Sequence, residues 1–369
     1  MISALKIRPG VLLLMAALVI FTLGLVMIFS TTSADALDHA KVQGLSSQLL
    51  KQILFSGAAA LLAVGVYRLG WVRVYESTPW IMLGIVVLLT LVLIPGVGKV
   101  VNGSRRWLSL GGFSFQPSEF AKFIVPLYFF YGWQHAKGEK NLLFFLKLLA
   151  VTLIPIVLIM VEPNNGTALV TLSVLVVVFF LVKVPLKFWA FPLLGMLIIG
   201  GVFASQLPYV TRRLQVYLHP ELDLRGKGHQ PYQAKIAAGS GGLFGKGAAK
   251  SLQKLSYLPE AQNDYIAAIW AEEFGFAGVL ALILLYLTLL LSGFKIAFLS
   301  PVQEGAVIAL LIVFLISFQA FLNMGVVSGL LPSTGLNLPL FSQGGTSLMA
   351  NFSEIALLLS IGENQWQEC

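Results

Sequence analysis

Runs of about 20 apolar residues, each close to the length a helix needs to cross a bilayer, recur along this chain and leave few folds open to it. Roughly ten occur: near Gly10 to Ser30, Leu49 to Leu69, Pro79 to Pro95, Ser118 to Trp133, Asn141 to Met160, Gly166 to Val182, Phe188 to Ser205, Asp264 to Leu291, Gly305 to Met324 and Gln343 to Gly362. Pro126, Pro155 and Pro192 fall inside such runs, which membrane helices tolerate because their neighbours satisfy the freed carbonyls. Only 11% of the 369 residues are charged, against roughly 25% in soluble domains. The expectation is an all-α, polytopic integral membrane protein with about ten transmembrane helices, one domain over 1–369. Lys6 and Arg8 ahead of the first run resemble the start of a signal peptide. The run is too long for that and no small-residue cleavage site follows, so an uncleaved first helix is expected.

Charge asymmetry sets the orientation. With the N-terminus inside, the short inner connections carry Arg68, Arg73, Lys137, Lys140, Lys183, Lys187 and Lys295, and the outer ones only Lys41, Lys99, Arg105 and Arg106. Both termini are therefore expected in the cytoplasm. Residues 206–263, between helices 7 and 8, become a large extracytoplasmic loop, basic but long enough to translocate regardless of charge. The net charge of +8 reads as topology, and no basic run interleaved with aromatics points to nucleic acid. Cys369, the only cysteine, excludes an internal disulfide and a cysteine metal site. The tail GENQWQEC does not fit the prenylation pattern. His39, His135, His219 and His229 have no ligand spacing. Neither a tandem repeat nor an inverted pair of broken helices is visible, which argues against the commonest transporter architectures.

In so apolar a chain the polar residues stand out. The stretch SYLPEAQNDYIAAIWAEEFG, Ser256 to Gly275, runs from a proline-bearing loop through Asp264 into a membrane helix holding Glu272 and Glu273. A carboxylate within a span costs about 2.5 kcal/mol or more, so its first reading is functional, with a partner to be found. Asp264 at a helix start is stabilised as an anion by the first amides, or serves as an ordinary N-cap. Burial pushes its pKa the other way, and the sequence leaves the direction open. Glu272 lies roughly 12 Å deeper along a helix, too far for both to flank one bond, so one acting carboxylate is the economical reading.

Four other stretches compete with bland explanations. NGSRRWLSLGGFSFQPSEFAK, Asn102 to Lys122, reads as an outer loop entering the fourth helix, with Glu119 and Lys122 on one face. A structural salt bridge explains that pair; neutralising a phosphate with Lys122, Arg105 or Arg106 is the functional alternative. Glu162-Pro163-Asn164-Asn165-Gly166-Thr167 is a tight turn, for which Pro and Gly suffice, although Glu162 is also placed to meet a cation or a sugar hydroxyl. The long loop holds the paired cations Arg212 and Arg213, then GHQPYQAKIAAGSGGLFGKG, whose glycines are either flexible or turned as a nest toward an anion. Asn323 to Leu348, NMGVVSGLLPSTGLNLPLFSQGGTSL, breaks its helix at membrane depth. Such backbone survives only where protein or water shields it, so a re-entrant loop lining a cavity is expected.

Together NGSRRWLSLGGFSFQPSEFAK, EPNNGT, AAGSGGLFGKG, LPEAQNDYIAAIWAEEFG and GLLPSTGLNLPLFSQGGTSL resemble the SEDS family (FtsW, RodA and SpoVE), glycosyltransferases of bacterial cell-wall synthesis. EPNNGT and GLLPSTGLNLP are closer to the FtsW division branch than to RodA. The resemblance implies a ten-helix protein of the bacterial cytoplasmic membrane that polymerises lipid II, an undecaprenyl-diphosphate disaccharide-pentapeptide, on its outer face. It implies a class B penicillin-binding protein as partner, with other divisome or elongasome membrane proteins around it. It places the catalytic role on Asp264, and substrate contacts on Lys122, Glu119, Arg105, Arg106, Arg212, Arg213, Gln233, Ser240 and Glu162. A divalent cation (Mg or Mn) is a further candidate for meeting the diphosphate, with no ligands assigned. Ser256 and Asn164 stand where family members often carry acids, which weakens a metal site built from those positions. A lipid II flippase, or a structural anchor that activates a synthase, remains an alternative.

Overall fold

Each apolar run coincides with a helix in the computed structural model, which describes residues 8–38, 42–101, 104–110, 113–205, 217–219, 228–254 and 262–367. In order these are α1 (Pro9–Asp38), α2 (Val42–Leu69), the short α3 (Trp71–Glu76), α4 (Thr78–Leu93), α5 (Pro117–Gln134), α6 (Leu142–Val161), α7 (Asn165–Leu181) and α8 (Leu186–Ser205). Then come α9 (His229–Ser240), α10 (Ile266–Leu299), α11 (Gln303–Val327) and α12 (Gly345–Gln367). Local chemistry fixes several starts. Pro79 and Pro117 sit in the first turns of α4 and α5, where a missing N–H costs nothing. Asn141 Oδ1 caps α6 by accepting from Phe144 N at 2.9 Å.

Six described helices, α1, α2, α6, α10, α11 and α12, are long and apolar enough to cross a membrane, and α4, α7 and α8 contain shorter apolar segments. The chain is a multi-pass membrane protein. α11 and α12 are buried along most of their length, with α5 and α7 against them. α2 turns Leu50, Ile53 and Leu61 outward, a liability in water but the ordinary surface of a helix facing lipid. α8 is held at its start, where Phe188 meets Phe145 and Trp189 meets Phe179 and Phe180, while Phe191, Leu194 and Ile198 beyond are exposed.

Three features refine the sequence reading. The stretch before α5 is a small antiparallel sheet, β1 (Gly98–Val101), β2 (Ser104–Leu110) and β3 (Phe113–Phe115), in the order β1-β2-β3. Leu108 pairs with both Gly98 and Phe115, so β2 is the central strand. α10 has 34 residues, about 50 Å of helix against a hydrocarbon core of about 30 Å. It breaks at Gly275 (φ 63, ψ −163), a conformation only glycine adopts readily. A Cβ there would fall 2.3 Å from Gly245 N. Glu272 and Glu273 thus belong to a short first segment, ahead of the long membrane-crossing one. The chain between α11 and α12 is non-helical and buried at Leu336, Leu338, Leu340 and Phe341, as a shielded re-entrant loop requires. Its backbone is satisfied from outside: Asn323 Nδ2 donates to Leu336 O, Gln319 Nε2 to Asn337 O, and Tyr286 OH to Pro339 O.

Candidate active site

Five segments bring polar side chains to one end of the bundle: β2, the start of α5, the 162–166 turn, residues 264–265 and the re-entrant segment. The N-cap position of α10 falls on Tyr265, one residue after Asp264, and makes no side-chain cap hydrogen bond. Asp264 O accepts from Asn323 Nδ2 at 2.8 Å, and a methyl at Gly335 would lie 3.7 Å from Asp264 Oδ2. Next door, Tyr265 OH bonds Ser333 Oγ at 3.2 Å. The carboxylate is partly exposed and interacts with Arg106.

Arg106 reaches from β2 onto the turn, donating from Nε to Glu162 O at 3.2 Å and from Nη2 to Pro163 O at 2.5 Å. Burial pulls this guanidinium below its ordinary pKa, while the Glu162 and Asp264 carboxylates hold it up. Glu162 has no exposed surface, and neither carboxylate oxygen accepts a hydrogen bond. Burial pushes its pKa up to about 8 against the pull of Arg106. Arg105 points elsewhere, donating from Nη1 to Leu93 O at the end of α4.

Glu119 and Lys122 face one another one turn apart, Nζ to Oε2 at 2.9 Å, both buried. Lys122 Nζ also donates to Gln319 Oε1 at 2.7 Å, so the pair ties α5 to α11. Gln319 passes the contact on, donating to Asn337 O and Oδ1 at 2.9 Å each. Gln319 and Asn323, one turn apart on α11, therefore form a ladder from Lys122 to Asp264. Neither was singled out from sequence, although two amides at i, i+4 in an otherwise apolar helix are a signal. Glu354 of α12 was also missed; it is buried with Oε2 unpartnered and interacts with Lys122 and Glu119. The turn is pinned in turn: Asn164 Nδ2 donates to Ser118 Oγ at 3.3 Å, and a Cβ on Gly166 would sit 2.2 Å from Thr334 O.

The remaining candidates fall elsewhere. Ser240 ends α9 and donates to Ala237 O and to Glu272 Oε1; Gln233, on the same helix, is partly exposed. Arg212, Arg213 and Ser256 lie outside the described residues. Glu272 and Glu273 have found structural partners in the strap 241–254. Glu272 accepts from Lys246 Nζ at 2.6 Å, Ser251 Oγ at 2.5 Å and the amides of Leu252 and Gln253. Glu273 accepts from Lys254 Nζ at 2.7 Å, Ala249 N and Ser30 Oγ. Among the described residues no three His, Cys, Asp or Glu side chains converge as a metal cage. The donors present suit the mode in which a cation rides on substrate phosphates and takes one or two carboxylates; the partly exposed Asp264 fits that mode, while Glu162 has no exposed surface.

The arrangement pairs a partly exposed acid with a cation at the rim of a buried polar ladder, which suits removing a proton beside a developing anion. Known proteins carry the same architecture. Residues 11–367 match the family described as cell cycle protein, FtsW/RodA/SpoVE. Stage V sporulation protein E of Bacillus subtilis is 36% identical over 96% of this chain and 97% of its own. The probable peptidoglycan glycosyltransferase FtsW of Legionella pneumophila is 39% identical over 86% of this chain and 82% of its own. Among solved structures, a peptidoglycan synthase complex that coordinates polymerization and crosslinking contains a chain that superposes with a TM-score of 0.77 at 27% identity, covering 96% of this chain and 98% of that one. The rod shape determining protein RodA of Thermus thermophilus gives 0.65 at 29% identity, covering 99% of this chain and all of that one. A match along nearly the whole length, with relatives this similar, makes the chain a member of the FtsW/RodA/SpoVE family.

Proposed function

We propose that the protein is a peptidoglycan glycosyltransferase that polymerises lipid II into β-1,4-linked glycan strands at the outer face of the bacterial cytoplasmic membrane. On this reading the termini and the basic short loops are cytoplasmic, and 206–263 lies outside. Asp264 takes the proton from the acceptor sugar's 4-hydroxyl as that oxygen attacks C1 of the donor sugar. The bond from C1 to the diphosphate oxygen breaks, its electron pair leaves with the diphosphate, and the α-linked donor gives a β-linked product by inversion. Arg106, which shares the surroundings of Asp264, is the described cation best placed to meet the leaving charge. A divalent cation bound with the diphosphate would add Lewis-acid neutralisation of the same charge. Lys122 acts through Glu119 and Gln319 by holding the re-entrant segment. A class B penicillin-binding protein is the expected partner, supported by the likeness to a chain of a complex that couples polymerization to crosslinking.

The observation that carries this reading is the juxtaposition of Asp264 and Arg106 beside the re-entrant segment at one end of the bundle. Toward the other end the buried side chains of α5, α7 and α11 include the apolar Phe129, Phe130, Val174, Ile312 and Leu315, which supports an enzyme over a flippase needing a polar path across. The test is polymerisation of lipid II by purified Asp264→Ala and Asp264→Asn proteins, with and without the transpeptidase. Both are expected to insert and melt normally and to make no polymer; glycan strands of normal length from either variant would refute the role.

A further inference from the structure

At the end of the bundle away from Asp264, α1, α2 and α12 line an open cleft of about 530 Å³, within the size range of small-molecule sites. Ala60 and Ala63 of α2 line it, and their short side chains leave the space. Leu18 and Leu340 stand at its deep end, while Arg8, Tyr67 and Glu363 stand at its mouth. From Arg8 to Leu18 a helix rises about 15 Å, half of a hydrocarbon core about 30 Å thick. The cleft is therefore one leaflet deep, apolar along its length and charged where lipid headgroups lie. Its mouth carries both signs: the exposed Arg8 guanidinium and the exposed Glu363 carboxylate, with Tyr67 OH donating to Glu363 Oε2.

We propose that this cleft binds one phospholipid whose headgroup is zwitterionic with a primary ammonium, drawn from the leaflet at that end. One acyl chain fills the space beside Ala60 and Ala63, the phosphate meets Arg8, and the ammonium meets the Glu363 carboxylate. Selectivity resides in the headgroup, because a chain leaving bilayer for cleft exchanges one apolar surround for another. A trimethylated amine has no proton to donate to Glu363, and an anionic glycerol headgroup has no cation for it. The site lies across the membrane from Asp264 and does not depend on the reading given to that residue.

The experiment is native mass spectrometry of the full chain released from nanodiscs of equal phosphatidylethanolamine, phosphatidylglycerol and phosphatidylcholine. The wild-type chain is expected to retain one phosphatidylethanolamine, preferred on the order of fivefold over either competitor, the scale of one exposed ion pair. Glu363→Gln, at an exposed position, is expected to abolish the preference without altering the melt. Ala63→Leu, which fills the cleft, is expected to abolish retention. Equal retention of the three lipids by wild type, or an unchanged preference in folded Glu363→Gln, overturns the proposal. So does unchanged retention by Ala63→Leu.

Discussion

Glu273 lies in a chain where a buried carboxylate is expensive, and its partner Lys254 is equally hidden: their side chains are 1% and 5% exposed, with Nζ 2.7 Å from Oε1. Replacing Lys254 with Met leaves Glu273 with only Ala249 N and Ser30 Oγ as donors, which do not neutralise it. Breaking a buried pair from one side costs about 3–5 kcal/mol, whereas exchanging both members for apolar residues is often neutral. In the double variant Lys254→Met with Glu273→Leu, the loss shrinks to the unmet Ala249 N–H, about 1–3 kcal/mol. The double variant is therefore expected to be more stable than Lys254→Met alone. Lys246, the partner of Glu272, is 32% exposed while Glu272 itself is hidden. Glu272 keeps Ser251 Oγ and the amides of Leu252 and Gln253 as donors, so Lys246→Met is expected to cost less than Lys254→Met, about 1–3 kcal/mol. Thermal denaturation in detergent of the four proteins, with lipid II polymerisation measured per folded molecule, decides the matter. A double variant no more stable than Lys254→Met would refute the charge-pair argument, and a stable double variant without polymerase activity would show that the pair positions the strap for the reaction beyond its part in stability.

The pKa of Glu162, raised to about 8 from an ordinary 4.5, means the folded chain holds a proton that the unfolded chain releases. Stability should fall as pH rises from about 4.5 to 8, at up to about 1.4 kcal/mol per pH unit, and Glu162→Gln should flatten the slope in melting curves taken from pH 5 to 9. Gly166→Ala, whose methyl would lie 2.2 Å from Thr334 O, is expected to cost about 1–3 kcal/mol and to lower polymerisation. Gly195→Ala, with nothing within 4 Å, should leave both unchanged. Gln319→Ala removes an acceptor from Lys122 and two bonds to Asn337; a loss of about 1–3 kcal/mol is expected in the same melts.

The helices were legible because a membrane imposes a length and a polarity that show in the sequence without any knowledge of partners. The small sheet was not legible: Asn102 to Lys122 reads as a loop entering a helix, because strands as short as Gly98–Val101 and Phe113–Phe115 carry too little alternation to stand out. Nor were the partners of Glu272 and Glu273. Lys246 and Lys254 sit in a glycine-rich stretch that is polar and irregular, and nothing local says that it folds back onto the kink of α10. Asp264 showed itself as a lone acid at a hydrophobic boundary, but its electrostatic interaction with Arg106 joins segments far apart in the chain and needed the fold. Glu354 obeyed the same rule that picked out Glu272 and was passed over, since it lies in no polar string.

The re-entrant segment and the placement of Asp264 are one problem with one solution. A helix satisfies its own backbone and so offers no carbonyls or turns to a substrate; an irregular segment offers both but leaves polar groups unmet in an apolar setting. Asn323 resolves this with one amide, whose two N–H bonds reach Leu336 O at 2.7 Å and Asp264 O at 2.8 Å. Its own Oδ1 is left buried without a protein partner, a cost of about 1–3 kcal/mol. The gain is that the backbone at Asp264 and the re-entrant segment share a single support on α11. Gln319 extends that support to Lys122 and hence to α5, so the acid, the irregular backbone and the buried ion pair are set by the same face of one rigid helix.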